Sequence, residues 1–260
     1  MKIRDALREA EQRLEAAGVE TPLVDAELLL AHVVGTTRSG IYAQLDRDVD
    51  GAVEPLLRRR EAREPLAYVL GSWGFRRLTL KTDSRALVPR PETEIVVERC
   101  LALLRDLDAP RVLDIGVGSG AIALALKDEC SQANVTGVDV SANALELARE
   151  NAAALGLDVE LRAGGVESAA DGWDLVVSNP PYVESLESLQ PELRFEPERA
   201  LIGSGMHEEI AWAAKTRFLV FEVGDGQASE VAAILDAAGY ADVIISRDLS
   251  GNERVVEGRR

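Results

Sequence analysis

Cysteine and histidine are scarce in this 260-residue sequence, and long apolar runs are lacking. The two cysteines, Cys100 and Cys130, are too few for a disulfide framework and lack CxxC spacing. With His32 and His207 as the only histidines, a Cys/His zinc site is not expected, and no metal is predicted. No window reaches 18 apolar residues, so neither a signal peptide nor a membrane partner is expected. A soluble cytoplasmic protein is predicted.

Positive charge is also in short supply. The chain has 29 Lys and Arg against 45 Asp and Glu, a formal net charge of −16. Residues 1–80 carry 12 basic and 13 acidic side chains, whereas residues 81–260 carry 17 and 32. Such asymmetry favours two domains, and the acidic part should repel phosphate backbones. A direct nucleic-acid partner is therefore not expected.

The N-terminal stretch has the apolar spacing of helices. The first helix presents apolar residues at three- and four-residue steps: Ile3, Ala6, Leu7, Ala10 and Leu14. A second is predicted to begin with Thr21 as its N-cap and Pro22 as its first residue, and a third to cover about Ala52 to Arg63. Between Trp73 and Leu87 the pattern predicts a β-hairpin with its turn at residues 81–84.

Beyond Pro91, short apolar or β-branched runs alternate with helical patterns. The predicted strands are Val112–Ile115, Val135–Val140, Val159–Ala163, Leu175–Ser178, Phe218–Val223 and Val243–Ser246. Helical patterns such as Ala142–Leu155 and Ser229–Ala238 separate most of them. This alternation predicts an α/β fold with a doubly wound sheet, whose ligands bind beyond the carboxyl ends of the strands.

The first loop at such an end is rich in glycine. Residues 114–120 read Asp-Ile-Gly-Val-Gly-Ser-Gly and precede the helical run Ala121–Leu126. Glycines let a ligand approach the backbone, and the spacing is GxGxG, not the GxGxxG of a nicotinamide site. Asp139 ends the next strand 19 positions after Gly120, where a carboxylate can accept both hydroxyls of a ribose. A glycine turn with a helix-capping aspartate is the simpler alternative, but the combination favours a nucleoside-type cofactor.

The second loop follows the predicted strand Leu175–Ser178 and reads Asn179-Pro180-Pro181-Tyr182. The prolines stiffen it and donate no N–H, so the carbonyls of Asn179 and Pro180 can act as outward acceptors for an N–H₂ group. Asn-Pro is also a common turn starter. The loop follows the fourth predicted strand, downstream of the glycine loop, and this position favours a ligand-binding role over a simple turn.

The two loops together resemble a known family. Asp114–Gly120 is similar to the S-adenosylmethionine motif of class I methyltransferases, and Asn179–Tyr182 to the motif of those that methylate a planar amide or amino nitrogen. Two subfamilies share that second loop: adenine-N6 DNA methyltransferases and the protein-glutamine-N5 methyltransferases of peptide-chain release factors. Further segments resemble the second subfamily: Arg63–Gly71, Val88–Glu94, Phe195–Pro197, Glu222–Gly224 and Asp248–Val256.

The resemblance implies methyl transfer from S-adenosylmethionine to the glutamine of a release factor's Gly-Gly-Gln motif. It implies three parts: a helical docking domain (residues 1–71), a hairpin linker (72–90) and a methyltransferase domain (91–260), working as a monomer. Implied cofactor-binding residues are Gly116, Val117, Gly118, Ser119, Gly120, Asp139, Val166 and Asn179. Implied substrate-binding residues are Asn179, Pro180, Pro181 and Tyr182, of which Asn179, Pro180 and Tyr182 are expected to be catalytic.

The sequence departs from the family pattern at two places. Where an acidic residue usually lies near the adenine, it has Gly164-Gly165-Val166, which leaves Glu167 as the candidate substitute. The stretch between Leu201 and Phe221 is short, with room only for a helix at about Glu208 to Lys215. An adenine-N6 nucleic-acid methyltransferase and an inactive cofactor-binding module remain the alternatives.

Overall fold

The structure is a computed structural model that describes residues 1–182 and 190–260, and its contacts divide the chain into two compact units. The first unit comprises Met1–Ser72 together with Gln190–Phe195, and the second comprises the other described residues. Within the first unit, the Glu192 carboxylate accepts hydrogen bonds from Arg60 (2.9 Å) and Arg63 (2.6 and 2.8 Å). No periodicity predicts this return of residues 190–195, because it depends on ion pairs between distant parts of the sequence.

The first unit is helical, as its apolar spacing predicts. Its helices are α1 (Ile3–Ala16), α2 (Pro22–Val34), α3 (Val53–Glu61) and α4 (Leu66–Leu70), with a 3₁₀ helix at Ser39–Gln44. All five apolar residues singled out in α1 are buried and belong to one core with residues of α2 and α3. The amphipathic pattern therefore identified the packed face of α1 correctly.

The start of α2 differs from the prediction in one detail. Pro22 is the first helical residue, as expected, but the Thr21 side chain caps no backbone N–H. The Thr21 hydroxyl instead donates to the carboxylate of Asp25 (2.8 Å), whose other oxygen accepts from Arg60 (2.6 Å). The capping prediction is wrong because a buried carboxylate competes for the hydroxyl.

The predicted hairpin is present, but its turn is elsewhere. Strands β1 (Ser72–Phe75) and β2 (Leu78–Lys81) pair as a two-stranded sheet around Arg76 and Arg77, not around residues 81–84. Arg76 adopts a φ of 51°, a value typical of glycine or asparagine. Its backbone N–H donates to Glu94 (2.9 Å) and its guanidinium to Glu129, which offsets the strain. Turn propensity missed this site because tertiary hydrogen bonds define it.

The second unit contains a seven-stranded sheet, which confirms the α/β prediction. Its strands are β3 (Arg111–Ile115), β4 (Asn134–Asp139), β5 (Glu160–Ala163), β6 (Trp173–Ser178), β7 (Thr216–Glu222), β8 (Ala241–Arg247) and β9 (Glu253–Arg259). They lie in the order β5-β4-β3-β6-β7-β9-β8, and only β9 pairs antiparallel to its neighbours. Strand β9 was not predicted, since the buried Glu257, paired with Arg99 (2.7 Å), interrupts its apolar pattern.

Helices cover both faces of this sheet. One face packs against α5 (Thr93–Leu104), α6 (Ala121–Glu129) and α7 (Ala142–Leu155). The other packs against α9 (Met206–Ala213) and α10 (Ala228–Ala237). A short helix, α8, spans Glu198–Leu201. Helix α9 confirms the short helix expected near residues 208–215. No helix among the described residues is long and apolar enough to cross a membrane.

The strand order reverses between β3 and β6. Successive crossovers run from β3 outward to β5 on one side, and from β6 outward on the other. In open α/β sheets the crevice for ligands opens beyond the carboxyl ends of the strands at such a reversal. The loops after β3, β4 and β6 therefore converge where the sequence places the glycine loop, Asp139 and Asn179.

Candidate active site

The glycine loop after β3 leaves open space above its backbone. Gly116, Gly118 and Gly120 have φ values of 77°, 54° and 90°, which side chains rarely adopt. A Cβ at Gly116 would meet no protein atom within 4 Å, and one at Gly118 would meet nothing closer than 3.9 Å. A Cβ at Gly120 would lie 2.8 Å from Leu124 Cδ1, so this glycine serves helix packing. The first two glycines therefore keep room for a ligand.

A cavity opens at the convergence of the loops after β3, β4 and β6. Most of the residues predicted to bind ligands line it: Gly116, Val117, Gly118, Ser119, Asp139, Val166, Asn179, Pro180 and Pro181. Two residues predicted for the same site, Gly120 and Tyr182, are not among the lining residues. The structure thus brings together residues that lie as much as 65 positions apart.

Asp139 ends β4 with its carboxylate held against the glycine loop. One oxygen accepts from the Gly118 N–H (3.0 Å), and the other from the Ser141 N–H (2.8 Å). Each carboxylate oxygen has a second lone pair, so both can still accept a hydroxyl from the cavity. The backbone contacts fix the side chain in place for this purpose.

The segment after β5 is crowded at the position where an acidic residue was expected. A Cβ at Gly164 would approach Ser168 Oγ to 2.6 Å, so a side chain there would require Ser168 to move. Glu167 does not line the cavity, and one of its carboxylate oxygens accepts from the Gly165 N–H (2.7 Å). The structure therefore does not support Glu167 as the substitute; Val166 and the 74% exposed Val140 offer an apolar wall instead.

Asn179 lies directly after β6, and its amide has a defined direction. Its Nδ2 donates to Thr93 Oγ1 (3.4 Å), and that hydroxyl donates to Glu222 Oε2 (2.6 Å). The Asn179 side chain is also close enough to Glu222 to favour the charged form of that carboxyl and so lower its pKa. Because an ionised carboxylate only accepts, the N–H₂ end of Asn179 faces this cluster. Its Oδ1 is left as an acceptor for a ligand.

The rest of this loop is held by close packing with two glycines. A Cβ at Gly203 would meet Pro181 at 2.8 Å, and one at Gly224 would meet the Tyr182 ring at 2.9 Å. Gln227 links the same parts, since it accepts from the Gly224 N–H (3.0 Å) and donates to the Tyr182 carbonyl (3.3 Å). Burial raises the pKa of Tyr182 to about 12. Tyr182 is therefore neutral and fixed in orientation.

Two buried carboxyl groups at the site, Asp114 and Glu222, begin motifs that the sequence singles out, but neither residue was predicted to bind a ligand. Burial raises the pKa of Asp114, at 1% exposure, and of Glu222, at 2%, to about 7 each. One Asp114 oxygen accepts from the Ala123 N–H (3.1 Å), and its Oδ1 has no partner among the described residues. The sequence signal that could have identified them is an acidic residue at the end of an apolar strand, because buried carboxyl groups with shifted pKa values cluster at functional sites.

The site can therefore hold a ligand with several distinct groups. The unpartnered Asp114 Oδ1 suits an ammonium or hydroxyl donor, Asp139 suits a pair of hydroxyls, and Asn179 Oδ1 suits an N–H. Among the described residues, no three His, Cys, Asp or Glu side chains are grouped as metal ligands would be. The chemistry available here is the binding and orientation of a nucleoside-like ligand beside an amide or amine.

We expect Glu222→Gln to alter how stability depends on pH. Burial raises the pKa of this carboxyl from 4.5 to about 7, so the folded chain holds the proton more tightly than the unfolded chain. Between those values the group lowers the free energy of unfolding as pH rises, by at most about 1.4 kcal/mol per pH unit. Glutamine mimics the protonated acid, so the variant should be the more stable protein above pH 7. Denaturant unfolding of both proteins between about pH 4.5 and 8 measures their free energies of unfolding. A stability difference between variant and wild type that does not change with pH would contradict the expectation.

Comparison with known proteins adds an independent finding. Residues 5–71 match the family described as PrmC N-terminal domain, and residues 96–195 match the Methyltransferase small domain. The chain is 41% identical to the release factor glutamine methyltransferase of Deinococcus radiodurans, over 100% of this chain and 99% of that protein. It is 41% identical to the protein of the same name from Bordetella pertussis, over 91% and 94%.

Two solved structures share the fold at low sequence identity. The hMettl16 catalytic domain in complex with MAT2A 3′UTR hairpin 1 matches with a TM-score of 0.55 and 14% identity, over 69% of this chain and 74% of that one. A SAM-dependent methyltransferase from Agrobacterium tumefaciens matches with a TM-score of 0.50 and 15% identity, over 73% and 70%. At this identity the likeness concerns the fold alone, and it confirms the predicted fold class.

Proposed function

Because this chain belongs to the family of release factor glutamine methyltransferases, we propose that the loop Asn179–Tyr182 holds the glutamine while the loop Asp114–Gly120 holds the cofactor. The chain is an enzyme that transfers a methyl group from S-adenosylmethionine to the side-chain amide nitrogen of a release factor's glutamine. We take this glutamine to be that of the Gly-Gly-Gln motif. The observation that carries the site assignment is Asn179, which lines the same cavity as the glycine loop and whose Nδ2 is held by Thr93.

S-adenosylmethionine suits the residues that line this cavity. Asp139 would accept the ribose hydroxyls, and Gly116 and Gly118 leave room beside the loop backbone. The unpartnered oxygen of Asp114 can accept from an ammonium group, and Val166 can pack against the adenine. Val117 and Ser119 line the same wall, whereas Gly120 acts through helix packing. The bound cofactor supplies an electrophilic methyl group.

The enzyme's own task is to make an amide nitrogen react. The nitrogen lone pair is delocalised, so the amide must be held in line with the methyl group and stabilised as the nitrogen becomes tetrahedral. Asn179 Oδ1 and the carbonyl of Pro180 accept hydrogen bonds from the two N–H groups of the substrate amide. These bonds hold the nitrogen in line with the methyl group and stabilise it as it becomes tetrahedral. Pro181, which lines the cavity, flanks the amide and excludes water. Tyr182 lies behind this lining, where its ring packs against Gly224, and we propose that it supports the loop from there. No strong general base is required, because an N-methylated, protonated amide loses its proton readily.

Labelled methyl transfer tests this function directly. Wild-type enzyme with labelled S-adenosylmethionine should label an intact release factor and should not label one in which the Gly-Gly-Gln glutamine is replaced by glutamate. Equal labelling of both proteins would place the methyl group elsewhere and refute the proposal. A short Gly-Gly-Gln peptide serves as a second substrate, expected to be poorer because it lacks remote contacts.

Residues 1–71 are proposed as the domain that docks the release factor, with residues 72–90 as linker and residues 91–260 as the methyltransferase domain. The match of residues 5–71 to a family domain of their own supports this division. We further propose that the enzyme works as a monomer in the cytoplasm, where translation factors act. Sedimentation at micromolar concentration tests the oligomeric state.

Nucleic acid is proposed not to be a substrate. A chain with a net charge of −16 offers phosphates little attraction, although the Asn179–Tyr182 loop could accept an adenine amino group as well. Duplex DNA or RNA containing adenine should remain unlabelled at low and high salt in the same assay. Labelling of either, with no labelling of the release factor, would favour the adenine methyltransferase instead.

Asp139→Ala is expected to weaken cofactor binding and not the chemical step. Charge-assisted hydrogen bonds from ribose hydroxyls contribute about 1.5–3 kcal/mol, so the dissociation constant of S-adenosylmethionine should rise about 10- to 100-fold. The kcat at saturating cofactor should change little. Calorimetry measures the affinity, and an unchanged dissociation constant would contradict the assignment. Asp158→Ala, which alters a carboxylate outside the cavity lining, is the control.

A further inference from the structure

Glu222 is a buried acid for which the proposed mechanism has no use. It ends β7, is 2% exposed, and directs its carboxylate toward Thr93 and Asn179. Its backbone carbonyl hydrogen-bonds the Nε2 of His207 (2.9 Å), which fixes the end of the strand. Burying a carboxylate this deeply lowers the free energy of unfolding, so we expect the group to have a role beside the substrate loop.

The geometry points to Glu222 as a positioning residue that, through Thr93, sets the direction of the Asn179 amide. This role of Glu222 rests on the proposed function, in which Asn179 Oδ1 accepts a hydrogen bond from the substrate. Thr93 donates its only hydroxyl proton to Glu222 Oε2 (2.6 Å), so its lone pairs are left to accept Asn179 Nδ2 (3.4 Å). The cluster then has one proton arrangement, with every donor directed toward the carboxylate.

A neutral acid would not impose this direction. A protonated Glu222 could donate to Thr93, whose hydroxyl could then point toward Asn179 and tolerate a flipped amide. The flipped amide would present N–H₂ to the substrate's own N–H₂, which is repulsive. The ionised carboxylate therefore favours the productive orientation, and it also polarises the Asn179 carbonyl into a better acceptor.

The surroundings hold Glu222 in balance between its two protonation states. Arg254 on β9 favours the charged form, but its guanidinium is bound to Asp225 (2.8 Å) and Asp248 (3.4 Å). Glu92, just before α5, opposes the charge.

The remaining neighbours bring no charge to the carboxylate. Tyr182 is neutral, and burial lowers the pKa of His207, so its ring is uncharged too. The activity should therefore increase with pH as Glu222 ionises, with a midpoint near 7.

Three variants test the inference. Glu222→Gln and Thr93→Val should each lower kcat about 10- to 100-fold, the loss expected when a hydrogen bond to a charged group is removed. Both should leave the dissociation constant of S-adenosylmethionine and the KM for release factor nearly unchanged. Thr93→Ser keeps the hydroxyl and should retain most of the activity. The increase of kcat around pH 7 should disappear in Glu222→Gln.

Glu257→Gln is the matched control, because Glu257 is a strand carboxylate of the same sheet, 1% exposed and paired with Arg99 away from the cavity. It should preserve kcat and its pH profile. Wild-type kcat in Glu222→Gln, an unchanged pH profile, or equal activities of the valine and serine variants at position 93 would overturn the inference. Each of these outcomes is measured with a wild-type enzyme that methylates the release factor. If the wild type labels no release factor, the proposed function itself fails, and the role of Glu222 fails with it.

Discussion

Replacing Asn179 by alanine is expected to lower kcat for release-factor methylation about 10²- to 10³-fold, the loss seen when one preorganised partner of a transition state is removed. The amide protons become more acidic as the nitrogen becomes tetrahedral, so the acceptor at Asn179 Oδ1 contributes more in the transition state than in the bound substrate. Single-turnover kinetics with saturating cofactor measures the effect. The affinity for S-adenosylmethionine should remain nearly unchanged.

The control for this variant is Asn134→Ala, which removes an exposed asparagine whose amide bonds the Ala109 carbonyl (3.1 Å) far from the cavity lining. It should have wild-type kinetics. An Asn179→Ala enzyme with near-normal kcat would show that the Asn179–Tyr182 loop does not bind the reacting amide. A loss confined to cofactor affinity would assign Asn179 to the cofactor alone.

Gly116→Ala is expected to raise the dissociation constant of S-adenosylmethionine about 10- to 100-fold. Its φ of 77° makes any side chain strained, and its new methyl group would enter open space beside the loop, where the cofactor is proposed to lie. Overpacking a site by one methyl group costs about 1–3 kcal/mol, which gives that range of affinity. Calorimetric titration measures the change.

Gly172→Ala separates the ligand effect from backbone strain. Gly172 has a φ of 75°, and a Cβ there would also meet no atom within 4 Å, but it does not line the cavity. Both variants should lose folding stability, since an alanine is strained at either positive φ. Only Gly116→Ala should lose affinity for the cofactor; equal affinities in the two variants would remove Gly116 from the site.

The sheet and its two ligand loops could be predicted because their signals are local. A β-branched run predicts a buried strand wherever it occurs, and glycine or proline directly after it defines the loop that follows. Gly118 and Asp139, 21 positions apart, form one hydrogen bond because adjacent parallel strands end at the same edge. Strand topology therefore converts a short motif into a site.

The contacts around Asn179 could not be predicted in this way. Thr93 and Glu222 lie 129 positions apart, and although Glu222 lies within a predicted apolar strand, nothing in the sequence indicates that it pairs with Thr93. The turn at Arg76 was not predicted for the same reason, since Glu94 and Glu129 stabilise a backbone conformation that turn propensity disfavours for arginine. At Gly164 the sequence shows only that the acid is missing, whereas the structure shows that a side chain there would require Ser168 to move.

Tandem mass spectrometry of a release factor after incubation with the enzyme and S-adenosylmethionine identifies the residue and the atom that receive the methyl group. We expect one added methyl group on the side-chain nitrogen of the Gly-Gly-Gln glutamine, and almost none at equal times with the Asn179→Ala enzyme. A methyl group on any other residue, or equal methylation by the two enzymes, would contradict this expectation.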